Sequence, residues 1–193
     1  MGAPSECLDR FLAPWTPDLI FRLRGLSSSM YCAIEAYISR QWNILDTLSW
    51  WFWNVGIFLR TLQVCDGVIS GSEAQQFFGR KAFRGKDLDI YLPPHGLLPM
   101  GRFLKEQGFM YCAAYNKHPL FDAAVLSHST FITQAAINSS STGRPGAHSY
   151  GFTAYDFVRP KSLFPHKKGR RVQIIAVTGD PVEFIINNFH SSE

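Results

Sequence analysis

The chain has 193 residues, of which 46% are hydrophobic and 18% charged, and this balance is typical of one soluble globular domain with a small appendage. Its formal net charge of +4 is mildly basic and favours anionic partners such as nucleotides or RNA only weakly. The four cysteines are far apart and form no CxxC pair, which argues against a zinc site and a disulfide framework and predicts buried, reduced thiols.

The N-terminal residues do not predict a secretory leader, because residues 1–10 contain acidic and polar side chains in place of an apolar run. The most apolar segment, residues 47–59, lies between Asp46 and Arg60 and is too short to cross a bilayer. We therefore expect a protein of the cytoplasm or the nucleus without a membrane partner.

Helices are predicted throughout the first third of the chain. The segment TPDLIFRLRGL offers Thr16 as the N-cap, Pro17 at the first helical position and Gly25 to end the helix. The next segment, SSSMYCAIEAYISRQW, places apolar residues on one helical stripe. Residues 44–63 predict one or two more helices interrupted near residue 55, with the neighbouring tryptophans Trp50, Trp51 and Trp53 packed in the core.

From Asp66 onward the pattern becomes that of an α/β domain, since short apolar runs bounded by Gly and Pro alternate with helical stretches. The predicted elements are strands at 68–70 and 88–92, helices at 73–78 and 97–107, and strands at 109–114, 152–158 and 172–177. We predict an α+β fold with a mixed sheet and flanking helices (residues 66–193), preceded by an α-helical region (residues 1–65). A last helix beginning at Asp180 ends in polar residues, which suggests a fragment of a longer gene product or a truncated gene model.

Two loops are also predicted. The segment NSSSTGRPGAHS, residues 138–149, is a flexible Ser/Gly connection. The segment PHKKGRR, residues 165–171, forms the basic tip of a hairpin that joins the last two strands. A solvated turn is favoured over a phosphate or RNA contact for this tip.

Two aspartates in the predicted strand DLDIYL indicate a functional site. Alternate strand residues share a face, so Asp87 and Asp89 project together while Leu88 and Ile90 enter the core. Carboxylates about 7 Å apart repel each other and lose hydration unless a cation lies between them. A divalent ion such as Mg²⁺ or Mn²⁺ relieves this repulsion and keeps coordination positions for phosphates and water.

The preceding turn, Ser70-Gly71-Ser72, fits an anionic ligand. Gly71 allows close approach to the backbone, Ser72 offers a hydroxyl, and the following helix directs its N-terminal amides at an anion. Lys86, just before the aspartates, is either a counter-charge for a triphosphate or part of a solvated loop. The predicted site thus combines Ser70, Gly71, Ser72 and Lys86 for a nucleoside triphosphate with the two aspartates for metal.

The stretch GVISGSEAQQFFGRKAFRGKDLDIYLP resembles the signature of the nucleotidyltransferase fold, the DNA polymerase β-like superfamily. It is also similar to a group of uncharacterised fungal proteins with an ISGS…DLDIY core. The resemblance implies that Gly71 and Ser72 form the phosphate-binding turn and that Asp87 and Asp89 are metal ligands and catalytic. It further implies transfer of a nucleoside monophosphate to a hydroxyl of RNA, protein or a small molecule.

The chain departs from the superfamily at the third carboxylate, which usually comes from a later strand. In RVQIIAV the corresponding position holds Gln173, whose amide cannot accept a proton and binds Mg²⁺ poorly. Asp122, Asp156 and Glu183 are alternative sources of this carboxylate. A second interpretation is therefore a catalytically inactive scaffold that binds a protein partner through N-terminal helices, since residues 12–42 loosely resemble an F-box-like start.

Overall fold

Helices flank one mixed sheet in this α+β chain, as the sequence predicts. The computed structural model describes residues 4–79, 87–127, 152–160 and 169–188. The helices are α1 (Pro4–Leu12), α2 (Pro17–Leu23), α3 (Ser28–Gln41), α4 (Ile44–Ser49), α5 (Val55–Val64), α6 (Gly71–Gly79), α7 (Leu97–Glu106), α8 (residues 121–127) and α9 (Pro181–Asn188). The strands are β1 (Val68–Ser70), β2 (Asp87–Leu92), β3 (Met110–Cys112), β4 (Phe152–Arg159) and β5 (Arg170–Val177).

The described part of the sheet has five strands in the order β1-β2-β5-β4-β3. Strand β2 is parallel to β5, and the other three pairings are antiparallel. Strands β4 and β5 pair as far as Arg159 opposite Arg170, which confirms the predicted hairpin. Most of its basic tip, residues 165–168, and the predicted loop at 138–149 lie outside the described residues.

Successive side chains of a strand point to opposite faces of the sheet, so one face presents apolar residues that pack against helices. Leu88, Ile90 and Leu92 on β2 are fully buried, and so are Val172 and Ile174 on β5. Helices α5, α7 and α8 contribute further buried side chains to the same core, among them Phe58, Met100, Phe103, Leu104 and Phe121. Each large apolar side chain buried in this way contributes about 1.5–3 kcal/mol to folding. This core fixes β2 and β5 side by side, and their other face carries polar residues together with a smaller apolar cluster of Tyr91, Ile175, Val177 and Phe184.

The tryptophan prediction is wrong for two of its three residues. Trp51 is buried in the main core, whereas Trp50 and Trp53 are 55% and 75% exposed. The chain leaves α4 at this point, so consecutive side chains point in different directions. The Arg170 guanidinium lies 4.6 Å from the Trp50 ring, and Arg159 lies 5.4 Å from the Trp53 ring. Cation–π contacts at the surface therefore hold the two exposed rings.

The cysteine prediction is confirmed in part. All four thiols are free, but only Cys65 is buried. Cys7, Cys32 and Cys112 are exposed, because each lies on an outward-facing position of a helix or an edge strand. No helix in the described ranges is long and apolar enough to cross a membrane.

Helices α1 to α3 enclose a small hydrophobic core of their own. Leu12, Ile20, Ile34 and Tyr37 are its buried members. By contrast, Leu48 of α4 and the residues of α5 pack with the sheet. The predicted domain boundary after residue 65 stays a prediction. In the structure α1 to α3 pack on one another, whereas α4 and α5 pack on the core of the sheet.

Candidate functional site

The face of the sheet opposite the main core carries the two predicted aspartates. Asp87 and Asp89 are half-buried on this face, while Leu88 and Ile90 point into the core. Asp89 lies opposite Ser70 on β1 and Gln173 on β5, and Gln173 lies opposite Asp156 on β4. Four neighbouring strands thus place Ser70, Asp89, Gln173 and Asp156 in one row, which we call the carboxylate row.

The Ser-Gly-Ser turn touches this row. Gly71 begins α6 with a φ of +75°, a conformation that residues with a Cβ rarely adopt. A Cβ added to Gly71 would lie 2.1 Å from Asp89 Oδ2, so the carboxylate rests directly on the glycine backbone. Ser72 is exposed at the start of the same helix, whereas Lys86 lies outside the described residues. The structure brings the turn and the second aspartate into contact.

Arg171, which no sequence motif indicated for this site, lies on β5 between the aspartates of β2 and β4. Its Nη1 is 3.1 Å from Asp87 Oδ2, and its Nη2 is 2.8 Å from Asp156 Oδ1. Arg171 Nε and Gln173 Nε2 donate to the same Asp156 oxygen at 3.1 and 2.8 Å. Burial lowers the pKa of Arg171, but the hydrogen bond and charge of Asp156, together with Asp87, outweigh this and raise it. One guanidinium therefore joins two of the three carboxylates.

The ionised form of the Asp89 carboxyl is unfavourable in the folded protein. Burial raises the pKa of the Asp89 carboxyl, the negative charge of Asp87 raises it further, and Arg171 offsets only part of this. Burial, with the charge of Asp89, also raises the pKa of the neighbouring Tyr91 to about 12. Among the described residues, Arg171 contacts two of the three aspartates and the charge of Lys117 acts on Asp156, so the negative charge around Asp89 is only partly balanced.

Because the negative charge around Asp89 is only partly balanced, we predict that Asp89→Asn stabilises the metal-free protein at neutral pH. A folded-state pKa above the ordinary 3.8 means that ionised Asp89 costs stability at all pH values above its folded pKa. The cost disappears as the pH falls through that raised pKa towards 3.8, so the gain of the variant should disappear over the same range. Thermal unfolding in a chelator across pH 3–8 measures this. Asp122→Asn, at an exposed ion pair, serves as the control and should change little. A lower melting temperature of Asp89→Asn at pH 7 would contradict the prediction.

Asp156 is near the two β2 aspartates, whereas Asp122 and Glu183, the other alternative sources of a third carboxylate, lie elsewhere in the fold. Asp122 pairs with Lys105 of α7 at 3.1 Å, on the helices that cover the opposite face. Glu183 is exposed in the first turn of α9. Asp156 is the one of the three that lies in the carboxylate row, next to Gln173.

A cleft of about 550 Å³ opens on this face beside Asp89 and Gln173. Tyr91, Phe152 and Phe184 form apolar walls further along it. The described residues include no group of three or more His, Cys, Asp or Glu side chains suited to hold a metal ion. A metal at this site would have the two β2 aspartates as its protein ligands, and Mg²⁺ commonly binds through one or two carboxylates with substrate phosphates and water.

No family model, curated protein or solved structure matches this chain. The class that the fold and site define is an α+β protein with an acidic sheet face beside a Gly-Ser turn. Function must therefore be inferred from the chemistry of these residues.

Proposed function

We propose that the chain is a nucleotidyltransferase-fold protein that binds a nucleoside triphosphate together with Mg²⁺ or Mn²⁺. The observation that carries this proposal is the contact between Gly71 and the Asp89 carboxylate. Phosphates at the start of α6 would then lie beside a carboxylate that forms no ion pair with a described residue. Helix N-termini favour anions, and acidic pairs favour divalent cations, so metal and phosphate support each other at this point.

Each residue has a distinct role in this proposal. Asp87 and Asp89 hold the metal, which would neutralise phosphate charge and orient the α-phosphorus. Ser70, Gly71 and Ser72 receive the phosphates through backbone amides and hydroxyls, and Lys86 supplies a further positive charge. The adjacent cleft of about 550 Å³ has a volume in the range typical of small-molecule sites.

Transfer of the nucleoside monophosphate to an acceptor hydroxyl, on RNA, protein or a small molecule, is the activity that this site would perform. It requires a group that accepts the hydroxyl proton. Gln173 cannot, and the neighbouring Asp156 is held by Arg171 and Gln173. This observation favours a second candidate, a catalytically inactive scaffold that binds nucleotide and contacts a protein partner through α1–α3. The separate hydrophobic core of these helices supports that role.

We expect ATP to raise the melting temperature only when Mg²⁺ or Mn²⁺ is present. At a concentration 100-fold above Kd the gain is about 2.7 kcal/mol, or roughly 5–10 °C for a chain of this size. The double variant Asp87→Ala/Asp89→Ala should abolish the shift, while Asp122→Ala should keep it. A metal-independent shift, or none, would refute the proposal. Transfer of label from α-labelled nucleoside triphosphates would support the enzyme, and metal-dependent binding without labelling would support the scaffold.

A further inference from the structure

We propose that the Arg171 guanidinium is a built-in cation that takes the place of a second divalent ion, so that this site binds one metal and not two. This inference rests on the proposed function, because it concerns the same acidic face. Enzymes that use two metals hold the ions about 3.5–4 Å apart between shared carboxylates. Here Arg171 already lies between Asp87 and Asp156, at 3.1 and 2.8 Å.

The contacts of Asp156 support this assignment. Its Oδ1 accepts three hydrogen bonds, from Nε and Nη2 of Arg171 and from Nε2 of Gln173. An oxygen that accepts three donors has no lone pair left for a metal, so no ion can be shared between Asp156 Oδ1 and Asp87 Oδ2 while the guanidinium lies between them. Gln173 therefore has a role of its own, since its amide reinforces the Arg171–Asp156 pair at the position where the superfamily carries an acid.

The remaining acceptors define where one metal can bind. Arg171 contacts only Oδ2 of Asp87, and Asp89 accepts no hydrogen bond from a described residue. Asp89 and the second oxygen of Asp87, both on β2, are thus available to a single divalent cation, whereas the second oxygen of Asp156 belongs to a strand two positions away in the sheet. Such an ion would neutralise the negative charge of the aspartates that Arg171 leaves unbalanced. Unlike a metal, the guanidinium is covalently part of the chain and permanently charged, so its presence does not depend on the metal concentration.

The test counts Mn²⁺ ions bound per chain by electron paramagnetic resonance, in the absence of nucleotide, with folding checked by circular dichroism. We expect one ion for the wild type and two for Arg171→Ala, because removal of the guanidinium frees Asp87 and Asp156. Arg171→Lys, which keeps the charge, should again bind one ion. Arg170→Ala is the matched control, since its guanidinium stacks on Trp50 and does not contact the aspartates. This control should also bind one.

Each other outcome is decisive. No bound Mn²⁺ in the wild type overturns this inference, which requires one ion without nucleotide, whereas the metal-dependent ATP shift decides the proposed function independently. Two ions in the wild type, one in Arg171→Ala, or two in Arg170→Ala overturn the role of Arg171 and leave nucleotide binding standing. If Arg171→Ala does not fold, Asp156→Asn provides the test. We expect this variant to bind one Mn²⁺ ion with less than a fivefold change in Kd, because Asp156 binds Arg171 and not the metal. A loss of tenfold or more would make Asp156 a metal ligand and overturn the inference.

Discussion

Replacing Gly71 with valine should lower the free energy of unfolding by about 3 kcal/mol and abolish the metal-dependent nucleotide shift. The valine Cβ would lie 2.1 Å from Asp89 Oδ2, and a β-branched residue is strained at a φ of +75°. Asp89 must move away from the turn, or α6 must shift away from β2. Urea unfolding gives the stability, and nucleotide titration well below the melting temperature separates binding from folding.

The control for this experiment lies at the other end of the same helix. An added Cβ at Gly79 meets no atom of the described residues within 4 Å, so Gly79→Ala should leave both stability and nucleotide binding close to wild type. If Gly71→Val were as stable as the control, Asp89 could not rest on the turn in solution. The geometric basis of the proposed site would then be lost.

Gly101→Val should destabilise the protein by about 2–3 kcal/mol through overpacking. Gly101 lies on α7, and an added Cβ would be 2.0 Å from Cε1 of Phe121 on α8. The Phe121 ring cannot easily move, because it packs against Phe157 and Tyr155 with centroids 5.0 and 5.4 Å away. Chemical denaturation of the purified variant measures the loss.

A double variant tests the cause of that loss. Phe121→Ala alone should cost about 3–5 kcal/mol by leaving a cavity. In Gly101→Val/Phe121→Ala the valine methyl groups occupy part of this cavity, so the combined loss should be at least about 1 kcal/mol smaller than the sum. Gly56→Ala, at an exposed helical position, is the control and should be neutral or slightly stabilising. Strict additivity would show that the two helices do not meet at this pair.

Local patterns predicted the parts of the fold that depend on neighbours in sequence. The alternation in DLDIYL placed Asp87 and Asp89 on one face and Leu88 and Ile90 on the other, and the strand has this arrangement. The helix with Thr16 as N-cap and Pro17 at its first position begins where the sequence indicates. These features depend on backbone geometry over a few residues, which a sequence displays directly.

Other features depend on partners far away in sequence. Arg171 was missed because its role arises from strands β2 and β4, although its spacing of two residues from Gln173 places both on one strand face. Helix α8 was also missed, yet its buried Phe121, Ala124 and Val125 follow helical spacing. The exposed Trp50 and Trp53 depend on arginines more than a hundred residues later, which no local pattern reveals.

The ion pair between Asp87 and Arg171 spans 84 residues of sequence and bridges two parallel strands. Parallel neighbours cannot meet until the intervening chain has crossed over, and such non-local pairings form slowly because loop closure costs entropy. We therefore expect the acidic face to be assembled late in folding, after the hairpin of β4 and β5 can provide Arg171. Partly folded chains should then lack the complete acidic face, and any ligand of this face would select the finished sheet.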